Sequence, residues 1–142
     1  MQVAVSLAGQ CPPSETAFSV GAVIVDAEGE ELSRGFSREG GDPLAHAEEA
    51  ALGKLSPGDP RLPGATIYST LEPCSQRKSR PLTCTQLIIA AGLRRVVFAW
   101  REPALFVADA RGCELLSRAG LTVTELPEFA ADAMAPNRHL VR

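Results

Sequence analysis

The chain has 142 residues, of which 45% are hydrophobic and 22% charged, a balance that suits one compact domain. A net charge of −3 excludes a general electrostatic attraction to nucleic acid or anionic membranes, so we expect partners to be recognised locally. No apolar run approaches the roughly 18–20 residues that span a bilayer, and the N-terminus lacks the basic region of a secretory signal, which predicts a cytoplasmic protein.

Short apolar runs rich in β-branched residues alternate with helical segments. Strands are predicted at 20–25, 31–37, 65–70, 95–100 and at the end of segment 115–123. Helices are predicted at 2–9, 45–55, 83–91, at the start of segment 115–123 and at 128–135, where Pro136 ends the last one. The helix between the fourth and fifth strands provides a crossover, so these two strands should be parallel. The pattern predicts a single α/β domain over residues 1–142, in which helices cover both faces of a mixed five-stranded sheet.

Four cysteines in a chain of this length do not form the dense pattern of a disulfide framework. His46 lies at the start of the second predicted helix, Cys74 follows Pro73 after the third strand, and Cys84 lies at the start of the third helix. One imidazole and two thiolates suit zinc and leave the fourth tetrahedral position open, which is typical of a catalytic site. Because a water in that position loses a proton near neutral pH, the motif predicts hydrolytic chemistry.

Glu48 follows His46 by two positions, a spacing that points two side chains about 200° apart on a regular helix. If His46 lies in an irregular first turn, the Glu48 carboxylate can still reach the metal-bound water. We therefore assign Glu48 proton transfer rather than metal ligation. It would take a proton from the water and return protons to a ring nitrogen and a leaving amine.

Each of these residues also has a plainer interpretation. Alone, the histidine would be an exposed helix-start residue, the cysteines would be core thiols, and the glutamates at 48 and 49 would be solvated residues favoured by the helix dipole. The joint pattern favours the metal site. The other candidates are predicted to be structural or superficial: Cys11 and Cys113 in packing, Glu72 as an acceptor for backbone donors in its loop, and His139 at the surface. Trp100, at a strand end, is expected either to pack or to line a cleft, and packing is favoured.

The segment His46-Ala47-Glu48, followed by Pro73-Cys74 and Cys84, resembles the cytidine and deoxycytidylate deaminase superfamily. The usual pattern of that superfamily is His-x-Glu followed by Pro-Cys-x-x-Cys. Nine residues separate the cysteines here, and this spacing resembles one branch, the pyrimidine deaminase of riboflavin biosynthesis. The similarity continues through 88–92, 102–103 and 107–108 and covers roughly residues 18–140. It implies a three-layer α/β/α cytidine-deaminase-like fold and a zinc ion held by His46, Cys74 and Cys84.

Two features bear on the substrate that the resemblance implies. The riboflavin enzyme typically carries Asn-Pro-x-Val-Gly before the first strand, whereas this chain has Ala17-Phe18-Ser19-Val20-Gly21 and lacks the asparagine. The form Phe-x-Val-Gly-Ala is closer to cytidine deaminases. Phe18, and Ser75 in the Thr-Leu-Glu-Pro-Cys-Ser motif, are accordingly expected to contact the substrate.

The loop between the two cysteines carries the sequence Arg77-Lys78-Ser79-Arg80. Three cations and a hydroxyl between two zinc ligands are restricted in their distance from the metal. Such groups suit a phosphate, which predicts a nucleotide substrate held by Arg77, Lys78, Ser79 or Arg80. A solvated run of charge is the alternative.

The leading hypothesis is a zinc-dependent hydrolytic deaminase that releases ammonia from an aminopyrimidine nucleotide or nucleoside, with a riboflavin-pathway-like diaminopyrimidine favoured. A deoxycytidylate or cytidine-type deaminase is second, and a tRNA adenosine deaminase third, because the acidic net charge weighs against nucleic acid. A non-catalytic zinc-stabilised module is the alternative from another class, and Glu48 argues against it. Since related deaminases usually assemble, and the helix face at 87–91 is apolar, we expect a homo-oligomer, either a dimer or a tetramer.

Overall fold

The structure is a computed structural model that describes residues 1–106 and 110–141. Its sheet has five strands in the order β2-β1-β3-β4-β5. The strands are β1 (Gly21–Val25), β2 (Glu31–Phe36), β3 (Thr66–Leu71), β4 (Arg95–Trp100) and β5 (Thr122–Glu125). Strand β1 pairs antiparallel with β2 and β3, whereas β3, β4 and β5 are mutually parallel. The mixed five-stranded sheet and the parallel fourth and fifth strands are therefore confirmed.

Helices lie on both faces of this sheet. They are α1 (Gln2–Ala8), α2 (Ala47–Leu52), α3 (Cys84–Ala91), α4 (Gly112–Arg118) and α5 (Ala130–Met134). Alternate residues of β1 show the layering, because side chains alternate across a strand. Ile24 packs in a cluster with Ile88 of α3, whereas the neighbouring Val23 packs with Ala4 and Leu7 of α1. Helix α5 contacts α1, β3 and β4. The predicted three-layer α/β/α arrangement is thus confirmed.

Helix α2 lies unusually close to β2. Gly35 permits this approach, since a Cβ atom at position 35 would be 2.5 Å from the carbonyl oxygen of Ala47. The Ser33 hydroxyl also donates to the Ala51 carbonyl oxygen at 2.8 Å. These contacts hold α2 against the sheet, and the His-x-Glu motif lies at the N-terminal end of this helix.

Several helix boundaries differ from the sequence prediction by one to three residues, and two of the differences have a clear physical reason. Helix α2 is shorter than 45–55, because His46 has an extended backbone (φ −92°, ψ 156°) and stands before the first helical turn. At the C-terminal end, Pro136 lies inside a 3-10 turn, Ala135–Asn137, that follows α5 directly. Proline is tolerated in the first turn of a helix, where its missing N–H would have no partner. Pro136 therefore does not end the helical segment as predicted.

In the described part of the chain, no helix is both long and apolar enough to cross a bilayer.

Candidate active site

His46, Cys74 and Cys84 meet at one end of the sheet. Cys74 follows β3, and Cys84 is the first residue of α3. The His46 Nδ1 atom lies 3.7 Å from the Cys74 Sγ and 3.4 Å from the Cys84 Sγ. All three donor atoms lie within 4.8 Å of one another. The structure thus brings together the three residues that the sequence nominated as metal ligands.

The spacing of these donors fits a tetrahedral zinc ion. Sulfur and nitrogen ligands at about 2.3 and 2.0 Å from one tetrahedral ion are about 3.5 Å apart. The two observed sulfur–nitrogen distances, 3.7 and 3.4 Å, lie on either side of that value. An imidazole and two thiolates also form a donor set that zinc prefers, with room for one further ligand.

Local structure prepares the thiols for metal binding. Thr83 caps α3 by accepting a hydrogen bond from the Gln86 backbone N–H, and the backbone N–H of Cys84 donates to the Cys74 Sγ at 3.3 Å. Hydrogen bonding from the Cys84 thiol lowers the pKa of Cys74, and His46 lowers it further. The same hydrogen bond, together with burial, raises the pKa of Cys84. One thiol is therefore ready to ionise, and a cation in the cluster would stabilise both thiolates.

Glu48 lies beside the cluster and is buried, with 3% of its surface exposed. Its Oε1 accepts a hydrogen bond of 2.7 Å from the hydroxyl of Ser69 on β3. Burial, and then the neighbouring Cys74, raise the pKa of the Glu48 carboxyl. Because His46 precedes the helix, the two-residue spacing does not separate the side chains as it would on a regular helix. Ser69 was not singled out in the sequence, although the alternation of side chains along β3 points it to one face.

Two hydrogen bonds to the Glu72 carboxylate hold the loop that carries Cys74. Glu72 Oε1 accepts from the Glu102 backbone N–H at 3.1 Å, and Oε2 accepts from the Cys113 backbone N–H at 2.9 Å. Glu72 satisfies backbone donors, as predicted, but these donors lie after β4 and in α4 rather than in its own loop. Gly112 is also required here, because a Cβ atom at this position would overlap the carbonyl oxygen of Pro73. Helix α4 therefore packs behind the loop that carries Cys74.

A cavity of about 470 Å³ opens onto the cluster, a size that suits a small organic ligand. Its walls include the side chains of His46, Glu48 and Cys74. Four of the six residues that the sequence nominated for substrate binding line it: Phe18, Arg77, Lys78 and Ser79. The other two, Ser75 and Arg80, are not among its lining residues.

Those two residues have other partners. The Ser75 hydroxyl oxygen accepts a hydrogen bond of 2.8 Å from the Arg111 backbone N–H. Arg80 donates to Asp42 and, at 3.3 Å, to the carboxylate of Glu49. The structure gives no support to a substrate contact from either side chain. A sequence cannot show that the acidic residues before and within α2 turn towards this loop.

Arg77 is the most buried cation of the loop. Its side chain is 2% exposed, and its Nη2 donates to Glu49 at 3.0 Å and to the Leu44 carbonyl oxygen at 2.5 Å. Within the described residues, its Nη1 is buried and has no hydrogen-bond partner. The sequence interpretation of Glu49 as a solvated helix residue is wrong, because Glu49 pairs with both arginines of the loop.

Aromatic rings form one wall of the cavity. The ring centroids of Phe18 and Trp100 are 5.3 Å apart, and those of Phe18 and Phe106 are 4.9 Å apart, both in edge-to-face arrangements. Trp100 packs against the core, as predicted. Phe106 is 46% exposed and lines the cavity. No pattern in the sequence indicates its position, because Phe106 lies in an irregular segment.

Two distant side chains hold the segment that carries Phe18. The guanidinium of Arg38 donates to the carbonyl oxygens of Pro12 and Phe18 at 3.0 and 3.1 Å, and to the Ser19 hydroxyl at 2.7 Å. The fully buried Asn137 accepts from the Ser19 backbone N–H at 2.6 Å and donates to its carbonyl oxygen at 3.0 Å. The cavity wall therefore depends on Arg38, which follows β2, and on the C-terminal segment.

Glu102 also lines the cavity and was nominated only as part of the family resemblance. Burial raises the pKa of its carboxyl to about 7, and the nearby Cys74, Glu72 and Glu48 add to the shift.

The remaining candidates lie apart from the cluster. Cys11 is half-buried, and its thiol donates towards the Val20 carbonyl oxygen at 3.4 Å. Cys113 is half-buried in α4. The half-buried His139 has its Nε2 2.8 Å from the Ser14 carbonyl oxygen, so it is less exposed than predicted. Positions 107 and 108 of the resemblance lie outside the described residues.

Residues 1–100 match the family described as the cytidine and deoxycytidylate deaminase zinc-binding region. The chain therefore belongs to this family of zinc-binding deaminases.

Its relatives define a branch of that family. The chain is 42% identical over 136 residues to diaminohydroxyphosphoribosylamino-pyrimidine deaminase of Schizosaccharomyces pombe, covering 94% of this chain and 33% of that protein. It is 39% identical over 127 residues to riboflavin biosynthesis protein RibD of Aquifex aeolicus, covering 87% of this chain and 33% of that protein. The structure superimposes on Acinetobacter baumannii RibD with a TM-score of 0.81 and 29% identity, over 99% of this chain and 37% of that one.

These relatives confirm the riboflavin-pathway branch that the cysteine spacing predicts. The chain spans about a third of the length of the curated relatives it matches.

Proposed function

We propose that residues 1–142 form a zinc-dependent hydrolytic deaminase domain that releases ammonia from an aminopyrimidine nucleotide. One observation carries the proposal: the buried carboxylate of Glu48 lies beside a His-Cys-Cys donor set and on the wall of the same cavity. A purely structural metal site has no use for an unligated acid at that place. We assign His46, Cys74 and Cys84 to the metal and Glu48 to proton transfer.

The bound zinc ion supplies a Lewis acid that makes a water nucleophilic near neutral pH. The protein's own contribution is to hold and move protons. The Ser69 hydroxyl fixes one oxygen of the Glu48 carboxylate, which orients the group towards the cavity. The raised pKa of Glu48 suits a group that would accept one proton from the attacking water and pass it to the ring nitrogen. The same carboxylate would then take the remaining proton of the added hydroxyl and pass it to the leaving amine, so that two protons are taken up and two are delivered.

The favoured substrate is the phosphorylated diaminohydroxypyrimidine for which the fission-yeast relative is named. Two cationic residues of the loop, Arg77 and Lys78, line the cavity, and Arg77 Nη1 lacks a partner among the described residues. An anionic phosphate would satisfy that donor. Ser79 also lines the cavity and supplies a hydroxyl. The residues proposed to bind the phosphate are therefore Arg77, Lys78 and Ser79, and Arg80 is no longer among them.

A cytidine or deoxycytidylate deaminase is the second candidate. It is favoured by the Phe18-x-Val20-Gly21-Ala22 segment, in which Phe18 lines the cavity. This alternative uses the same metal site and the same acid. A tRNA adenosine deaminase ranks third because of the net charge of −3.

The test is ammonia release from the zinc-loaded protein across a panel of aminopyrimidine and aminopurine bases, nucleosides and nucleotides. We expect turnover of the diaminopyrimidine nucleotide and its loss in Glu48→Gln, with zinc content and thermal stability retained. Glu28→Gln, an exposed residue in the turn before β2, is the matched control. Full activity in Glu48→Gln would overturn the assignment of the acid, and a wild type inactive on the whole panel would favour a non-catalytic zinc module.

Location and assembly remain proposals. The thiols of the cluster must stay reduced to bind a metal, which favours a reducing compartment such as the cytoplasm.

Ile89 on α3 and Leu115 on α4 are exposed apolar residues, and their helices are in contact. We propose that this face takes part in a dimer or tetramer. Sedimentation of wild type and Ile89→Glu would test it, since a monomeric wild type would contradict the proposal.

A further inference from the structure

Glu102 is a carboxylate of the cavity wall that the proposed chemistry leaves without a role. It follows β4, and its backbone N–H is held by the Glu72 carboxylate at 3.1 Å. It does not belong to the group of potential metal ligands. Within residues 1–106 and 110–141, the Oε2 atom of Glu102 is buried and accepts no hydrogen bond. Because a buried polar atom without a partner is costly, such an atom needs an explanation.

The charges around Glu102 argue against a purely structural role for its buried carboxylate. Burial disfavours the negative charge of Glu102, and so do the nearby Cys74, Glu72 and Glu48, whereas His46 partly offsets the shift in pKa. No cation offsets this cost in an ion pair with Glu102 among the described residues. A side chain placed against its own electrostatic preference, on the wall of a ligand-sized cavity, is explained if a ligand supplies the missing donor.

Resting on the proposed function, we propose that Glu102 is a specificity-determining residue that accepts a hydrogen bond from an N–H group of the substrate base other than the amine that leaves. The other buried side-chain atom without a partner in the described chain is Arg77 Nη1, on the same cavity. The site thus offers one unsatisfied acceptor and one unsatisfied cationic donor. The ligand that matches both is an anionic nucleotide whose base carries additional N–H donors.

This pairing discriminates between the two candidate substrate classes. A diaminopyrimidinone carries amino and ring N–H donors besides its reacting amine. The cytosine ring presents only acceptors, its O2 and N3 atoms, besides the amine that leaves. A site with a buried acceptor rejects an analogue that lacks the matching donor, because the acceptor then stays unpaired. Glu102 would therefore favour the diaminopyrimidine class over cytosine nucleotides.

The experiment measures kcat/KM of the zinc-loaded protein for the diaminopyrimidinone ribonucleotide and for deoxycytidylate. The variants are Glu102→Gln, which keeps a weaker neutral acceptor, and Glu102→Ala, which removes it. Glu128→Ala and Glu128→Gln, at an exposed position, are the matched controls. For the diaminopyrimidinone we expect a loss of about 10-fold in Glu102→Gln and about 100-fold in Glu102→Ala. If deoxycytidylate is turned over, its kcat/KM should change by less than about threefold in both variants, because this substrate makes no hydrogen bond to Glu102.

Zinc content and melting temperature, measured on the same samples, separate recognition from structure. The inference is overturned if Glu102→Ala retains wild-type kcat/KM for the diaminopyrimidinone, if both substrates lose activity equally, or if the variants lose zinc. A wild type that deaminates neither substrate nor any other compound overturns the proposed function, and this inference with it. An active wild type with an unaffected Glu102→Ala overturns this inference alone.

Discussion

Replacing Glu49 with glutamine should loosen the loop that joins two of the proposed zinc ligands. The Glu49 carboxylate accepts from Arg77 at 3.0 Å and from Arg80 at 3.3 Å. It also lies 3.4 Å from the backbone nitrogen of His46, as part of a capping box on α2. Because the Arg77 side chain is 2% exposed, its guanidinium would stay buried after the substitution, without a counter-charge.

The size of the effect follows from the burial of the two partners. Breaking a buried ion pair by removing one member costs about 3–5 kcal/mol. Two features reduce that figure: the Glu49 side chain is 29% exposed, and glutamine retains an amide oxygen that accepts hydrogen bonds. We therefore expect Glu49→Gln to lower the free energy of unfolding by about 2 kcal/mol.

Arg80→Gln provides the comparison. Arg80 pairs with Glu49 and Asp42, and the side chains of these pairs are 29–44% exposed, so solvent screens them. Its loss should be much smaller than that of Glu49→Gln. Urea denaturation of the zinc-loaded proteins measures both. Equal losses in the two variants, or a larger loss in Arg80→Gln, would refute the argument that the burial of Arg77 sets the cost.

Ser69→Ala removes the hydroxyl that donates to Glu48, so we expect kcat to fall about 10-fold with zinc content unchanged. A variant that lost zinc while its kcat per bound zinc stayed normal would contradict this role. Asn137→Ala removes two hydrogen bonds to Ser19 and leaves buried backbone groups unpaired, which should cost about 2 kcal/mol in urea denaturation. A free energy of unfolding equal to that of the wild type within error would show that the C-terminal segment does not hold the cavity wall. Gly112→Ala should weaken zinc binding in a competition with a chelator, because its methyl group displaces the loop that carries a proposed ligand. Unchanged affinity would mean that α4 does not support that loop.

Much of the fold could be predicted because its signals are local. The apolar runs at 20–25 and 95–100 correspond closely to β1 and β4, and the glycine after α3 marks its end. A helix between two strands implies a parallel pair by chain geometry alone. The boundaries were less accurate where tertiary contacts decide them. Helix α2, for example, begins two residues later than predicted because His46 turns towards the thiols.

The grouping of His46, Cys74 and Cys84 could also be predicted from the sequence, because these three residue types at the ends of helices and strands are typical metal ligands. Residues whose role depends on a partner from another element could not. In the sequence, Ser69 is an ordinary strand residue, and only the structure shows that it donates to Glu48. Arg80 is likewise an unassigned cation in the sequence, and only the structure shows its pairing with Asp42 and Glu49. Asn137 lies 118 positions from the residue it holds. Such pairings are set by packing and leave no periodic signal in the chain.

We propose that one zinc ion is shared by His46, Cys74 and Cys84 and that its fourth coordination position is open. X-ray absorption at the zinc edge of the loaded protein measures this coordination. We expect two sulfur neighbours at about 2.3 Å, one imidazole nitrogen at about 2.0 Å and one additional light atom from solvent. A shell of four sulfurs, a shell without sulfur, or a closed set of four protein ligands would contradict it.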